Sequence, residues 1–161
     1  MNLRIERVPY EQKHIIKHLM QFYLYDFTEF LNIPLAEDGR YPPYPDLAEY
    51  WTSGDAKLPF VFRRDDVPIG FALIDQMEDS TECDFYMAEF FVLRPFRRDG
   101  IGTYAAHQLF RMMLGRWKVT QVKSNVPAQL FWRKTVDSYT EGDYKERTHP
   151  WKGSTSQYFT S

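Results

Sequence analysis

The chain has 161 residues and a formal net charge of −2. That length suits one domain, 1–161, with one sizeable core, and 43% hydrophobic with 17% aromatic residues excludes a disordered chain. Near-neutrality removes a global pull toward nucleic acid, so no nucleic-acid partner is expected. No apolar run approaches the roughly 20 residues that span a bilayer. The N-terminal stretch lacks the apolar core of a signal peptide. The expectation is a cytoplasmic protein with no membrane partner. One cysteine, Cys83, excludes an intramolecular disulfide and a thiolate cluster. His14 and His18 share a helix face but lack a third ligand, so no metal is expected.

Residues 2–8 alternate polar and apolar and predict a strand. Ile15, Leu19, Phe22, Tyr23, Phe27, Phe30 and Leu31 recur at helical spacing, which predicts a long amphipathic helix over 10–31. Residues 33–45 carry four prolines and Gly39 and read as a loop. A short helix is expected at 46–51. Strands at 58–64 and 69–77 flank a hairpin turn at 65–68. An acidic turn at 78–84 leads to an apolar strand over 85–93. A helix at 100–114, a strand at 117–123, a helix at 127–134 with proline in its first turn, and a strand at 155–160 complete the order. Hairpins first and a strand–helix–strand unit later predict a mixed α/β sheet with a parallel join near its centre.

Charge is unevenly divided. Residues 1–93 hold 17 Asp/Glu against 8 Lys/Arg, whereas residues 94–136 hold 9 Lys/Arg against Asp99 alone. Inside the basic segment lies Arg97-Arg98-Asp99-Gly100-Ile101-Gly102, between an apolar strand and a helix start. Unsatisfied N–H groups and the dipole of a helix N-terminus favour an anion. Glycine there permits positive φ and close backbone approach. A phosphate-bearing ligand is therefore expected. Gly100 to Ala105 also fits the dinucleotide pattern G-x-G-x-x-A, but the stretch where its ribose-binding acid should stand, Val119-Thr120-Gln121-Val122-Lys123, has none. A nucleotide P-loop would need G-K-[ST], which is absent.

The same turn resembles motif A of the GNAT superfamily of N-acetyltransferases, (Q/R)-x-x-G-x-(G/A). The segment Asn125-Val126-Pro127-Ala128-Gln129-Leu130-Phe131-Trp132-Arg133-Lys134 resembles that family's N-x-x-A-x-x-F-Y-x-K. The run over 88–102 and Gly115-Arg116-Trp117 are similar to an uncharacterised bacterial group within it. The resemblance implies a mostly antiparallel twisted sheet with a central parallel pair splayed around a coenzyme A site, and helices on both faces. It implies acetyl-CoA as co-substrate and a primary amine of a small molecule or peptide as acceptor. Backbone groups of Arg98, Gly100, Ile101, Gly102 and Thr103 would hold the pyrophosphate. Phe91 and Val92 would pair with the pantetheine arm. Arg97 would meet phosphates, and Asn125 would contact the arm from across the cleft. A homodimer is compatible with the same reading.

Amide formation needs a neutral amine, an oxyanion donor and a proton for the thiolate. By resemblance, an N–H near Val92 serves the oxyanion. Trp132 stands where the family often has an acidic Tyr, and Thr120 where some members have a basic Glu. Glu89, a carboxylate in the middle of an apolar strand, is the candidate base, since burial raises its pKa toward a useful value. The family's acceptor region here holds Tyr23, Tyr25, Asp26, Glu29, Tyr41, Tyr44, Tyr50 and Trp51, of which Asp26 and Glu29 are the candidate acceptor contacts. The missing Tyr and Glu also leave open a non-catalytic acyl-CoA-binding module.

Overall fold

The computed structural model describes residues 2–161. Strands β1 (Leu3–Arg7), β2 (Lys57–Arg64), β3 (Val67–Gln76), β4 (Phe85–Val92), β5 (Arg116–Gln121), β6 (Lys145–Thr148) and β7 (Thr155–Thr160) form one sheet in the order β1-β2-β3-β4-β5-β7-β6. Every pairing is antiparallel except β4 with β5. Helix α1 (Lys13–Phe27) lies on one face, and α2 (Ile101–Met112) and α3 (Val126–Thr140) pack together on the other.

Strands β2 and β3 are buried through their central runs, Leu58 to Phe62 and Ile69 to Ile74, as continuous apolar sequences require when both faces are covered. Phe60, Phe62, Ala72 and Ile74 meet Ile101, Ala105, Leu109 and Phe110 of α2. Val61, Phe71 and Leu73 meet Ile16, Leu19 and Met20 of α1. The β2–β3 turn uses Asp65 (φ 50°) and Asp66 (φ 69°), the left-handed pair that matches hairpin twist. Strand β5 instead alternates buried and partly exposed residues: Trp117 and Val119 join the core, while Lys118 and Thr120 point to a face without that cover.

Three elements differ from the sequence expectation. The first helix ends at Phe27, with Thr28 Oγ1 donating to the Tyr25 carbonyl (2.6 Å). The last helix continues to Thr140, because Thr135 and Val136 are buried and Tyr139 packs on Phe110. Strand β6, Lys-Glu-Arg-Thr, was not expected; it is an exposed, charged edge strand with no apolar alternation to reveal it.

Candidate active site

The parallel pairing of β4 and β5 lasts three rungs, Phe85 with Trp117, Tyr86 with Lys118 and Met87 with Val119. Past those rungs the ladder stops, leaving a gap between the strands at the end where α2 and α3 begin. On the other side β4 stays paired with β3, but with an irregularity: Leu73 opposes Glu89 while Ile74 opposes Met87. Ala88 is the extra residue of a bulge. Because side chains alternate along a strand, one inserted residue turns all that follows to the opposite face. Phe85 and Met87 face α2 and α3, yet Glu89 faces α1.

Backbone polarity follows from the same register. The Leu93 N–H donates to the Ile69 carbonyl (2.7 Å), so by alternation Phe91 also turns its polar groups toward β3. A Cβ on Gly70 would collide with the Phe91 carbonyl oxygen. Phe90 and Val92 therefore turn theirs into the gap. Phe91 contributes its ring to the α1 side of the core instead.

The turn after β4 is open for an anion. From Arg98 to Thr103, no backbone N–H donates to an acceptor among the described residues. Gly100 caps α2 at φ 77° with nothing within 4 Å of the position a Cβ would take. Arg98 has φ 70° and is exposed; a left-handed arginine costs about 1 kcal/mol and is held by its surroundings. Gly102 serves packing: a Cβ there would lie 3.0 Å from the Phe131 ring.

Arg97 points inward. Its Nε donates to the Val92 carbonyl (2.8 Å) and its guanidinium pairs with Asp26 (2.8 Å). Arg94 pairs with the same carboxylate at 3.0 Å. Partial burial works against the Asp26 charge, but the Arg97 and Arg94 guanidiniums prevail and hold its pKa below the ordinary value. Asp26 is thus tied to the end of β4, and Glu29 is exposed beyond the helix end. Asn125 caps α3, its Oδ1 accepting from the Ala128 N–H (3.1 Å), which leaves its amide NH₂ without a partner among the described residues. Trp132 is buried edge-on against Phe90 (4.9 Å between centroids).

Glu89 sits in a pocket of tyrosines. Tyr23 of α1 donates to one carboxylate oxygen and Tyr44, from the 32–46 segment, to the other at 3.0 Å. Gln21 fixes that segment through two bonds to the Tyr41 backbone (2.8 and 3.1 Å). Burial pushes the Glu89 pKa up, with Asp75 adding to the rise, while the two hydroxyls oppose it. Burial and the Glu89 charge push Tyr23 and Tyr44 upward in turn. Asp75 is held by Tyr50 (2.6 Å) and Lys57 (3.4 Å). Sequence reasoning singled out Glu89 and named Tyr23 and Tyr44 only among the aromatics of the acceptor region, where it chose Asp26 and Glu29. It did not reach Asp75, Tyr86 or Lys118, though the period-two alternation of β4 and β5 is the signal that places Tyr86 and Lys118 on one face.

A sheet split at a parallel pair, with a helix start whose first N–H groups are unpaired on one lip and a half-buried carboxylate on the other side, defines an acyltransferase scaffold. The Acetyltransferase (GNAT) family model matches residues 20–136, and the chain belongs to that family of N-acetyltransferase enzymes. The fold is similar over all of this chain to an acetyltransferase from Thermus thermophilus (TM-score 0.72, 12% identity, 98% of that chain covered). It is also similar to the PaiA N-acetyltransferase of Thermoplasma acidophilum in complex with coenzyme A (0.69, 10%, both chains covered in full). The Naa50 protein of Arabidopsis thaliana, in complex with a bisubstrate analogue joining CoA to an acetylated peptide, matches at 0.62 and 12%, again over both full chains. A search of curated proteins gives no match.

Proposed function

We propose that the protein transfers the acetyl group of acetyl-CoA to a primary amine of a small molecule or peptide by direct attack on the thioester. The observation that carries this reading is the half-buried Glu89 at the edge of a gap lined by the polar groups of Phe90 and the N–H of Val92, whose carbonyl is already taken by Arg97. The pantetheine arm would add to β4 through those groups, with the Asn125 amide on the other lip. The pyrophosphate would rest on the N–H groups between Arg98 and Thr103, with Arg98 beside it. Acetyl-CoA is the co-substrate, and no metal enters the scheme. No described helix is long and apolar enough to cross a membrane, which is compatible with an enzyme working in the cytoplasm.

Glu89 takes the proton that the ammonium form of the acceptor must lose, directly or through one water. The neutral nitrogen then attacks the carbonyl carbon. The Val92 N–H supports the oxyanion as the carbonyl π-electrons move to oxygen. Collapse breaks the C–S bond and expels the CoA thiolate, and the nitrogen, positively charged after attack, gives its second proton to solvent. Trp132 is no acid, and Tyr23 and Tyr44, pushed above their ordinary pKa, are poor ones. The thiolate, with a thiol pKa of about 8.5, leaves without an enzyme proton and is protonated by solvent.

Thiol release from acetyl-CoA across a panel of amines tests the scheme. Glu89→Gln should cut kcat/KM about 100-fold or more while acetyl-CoA binding persists. Wild-type turnover in that variant would remove Glu89 as the base. Tight acetyl-CoA binding with no thiol released from any amine would leave a binding module.

A further inference from the structure

On the face of the sheet that carries Glu89, α1 covers β3, whereas the helix contacting β5 and β7 is α3, on the opposite face. The strand register builds a row of side chains there. Tyr86 opposes Lys118, Lys118 opposes Tyr158, and Tyr158 opposes Lys145. The Lys118 ammonium lies 6.0 Å from the Tyr86 ring and 5.6 Å from the Tyr158 ring, and the Arg147 guanidinium lies 5.3 Å from Tyr158. One step toward the gap, Thr120 Oγ1 and Ser156 Oγ are 2.8 Å apart. The row is continuous with the Glu89 pocket, since the bulge at Ala88 puts Tyr86 and Glu89 on the same face of β4, three residues apart.

Its charge is lopsided. Lys118 is half answered by Glu82 at 2.9 Å. Lys145 and Arg147 have no carboxylate within ion-pair distance among the described residues. Glu82 and Asp143 line a surface pocket with Lys145 and Tyr158, so Lys118, Lys145 and Arg147 outnumber the carboxylates beside the row, while Asp26, an apparent counter-charge for a cationic acceptor, is neutralised by two arginines.

We propose that this face is the acceptor subsite and that the acceptor is an amine whose body carries a carboxylate or phosphate. This rests on the transfer reading above. The amine sits at Glu89. The body crosses β5 and β7, stacking on Tyr86 and Tyr158 and meeting the Thr120 and Ser156 hydroxyls. The anion lies against Lys118, Lys145 and Arg147. With strands about 4.8 Å apart, amine and anion are separated by about 10–15 Å. Cation–π contacts hold the cations over the rings and leave their outer sides to an anion.

The test uses tetrapeptide amides with a free α-amine and glutamate, glutamine or lysine at the third position, which sets the charge about 10 Å from the nitrogen. An arm with 8-aminooctanoate and octylamine asks whether a small molecule suffices. At low ionic strength, kcat/KM for the glutamate peptide should exceed that for the lysine peptide by about tenfold, the sum of two or three part-exposed pairs. The ratio should fall toward unity in Lys145→Glu/Arg147→Glu, both exposed edge-strand positions, and in high salt. A ratio near one in the wild type, or one that survives the charge reversal, overturns the inference. Dissociation constants of the same peptides for the CoA-bound protein separate it from the transfer reading. Charge-dependent binding without thiol release keeps the subsite and sinks the transfer reading; equal turnover of all three peptides does the reverse.

Discussion

Glu89 is held between opposing influences. Burial and the Asp75 carboxylate disfavour its charge, and the Tyr23 and Tyr44 hydroxyls favour it. Tyr86 shares the pocket and is pushed up by its own burial. A base must be ionised to act, so the acid limb of kcat/KM follows Glu89. Removing one donor raises the carboxyl pKa further. Tyr44→Phe should therefore move the acid limb to higher pH, lowering kcat/KM about three- to tenfold at pH 6, the scale of one hydrogen bond to a charged group, and little at pH 9. Tyr41→Phe, which alters the same segment without touching Glu89, should leave the shape of the profile as it is. A uniform loss at every pH in Tyr44→Phe would mean that Tyr44 only supports the segment.

At the scale of elements, the end of β4 is fastened to α1 through one guanidinium. Arg97 binds the Val92 carbonyl and the Asp26 carboxylate together, so one side chain joins the strand that would carry pantetheine to the helix that carries Tyr23. Asp26→Asn keeps the shape and removes the charge. Allowing for solvent screening, it should cost about 1 kcal/mol at pH 7. Because the folded pKa of Asp26 is depressed, this contribution is present above the unfolded value of about 3.9 and disappears as pH falls through the folded one. Urea unfolding of wild type and variant should differ at pH 7 and converge in strong acid; an equal gap at both would assign the effect to packing.

Element types were legible where burial writes a pattern. The apolar runs of β2 and β3, the alternation of β5 and the Gly turn before α2 all state their surroundings. The inward turn of Arg97 was not legible, because a basic residue beside a phosphate-binding turn looks the same whether it meets solvent, phosphate or Asp26. Nor was the bulge at Ala88, which leaves no mark in composition yet decides which face Glu89 occupies. Glu89 itself stood out as a carboxylate where apolar residues belong. Its partners came from an irregular segment whose path prolines and glycine set but do not announce.

For the whole molecule, the two lips of the gap meet through three parallel rungs and through packing of α2 on α3, where Phe131 fills the space left by Gly102. Ser124 adds a bond to the Phe30 carbonyl at 3.2 Å across the opening. A ligand that binds Phe90 and Val92 on one side and Asn125 on the other would add a bridge where the sheet is weakest. Acetyl-CoA at 100 times its dissociation constant should stabilise the fold by about 2.7 kcal/mol, and for a chain of this size that is roughly 5–10 °C in melting temperature. Arg98→Glu places a negative charge beside the unpaired N–H groups without altering the left-handed demand on that position. It should lose most of the ligand-induced rise while leaving the ligand-free melting temperature within about 2 °C of wild type. A tryptophan at Gly100 would also fill the space but would add backbone strain at φ 77°, so its effect would mix folding with binding. An undiminished rise in Arg98→Glu would move the phosphates away from the turn, and no rise in the wild type would remove acetyl-CoA as the ligand.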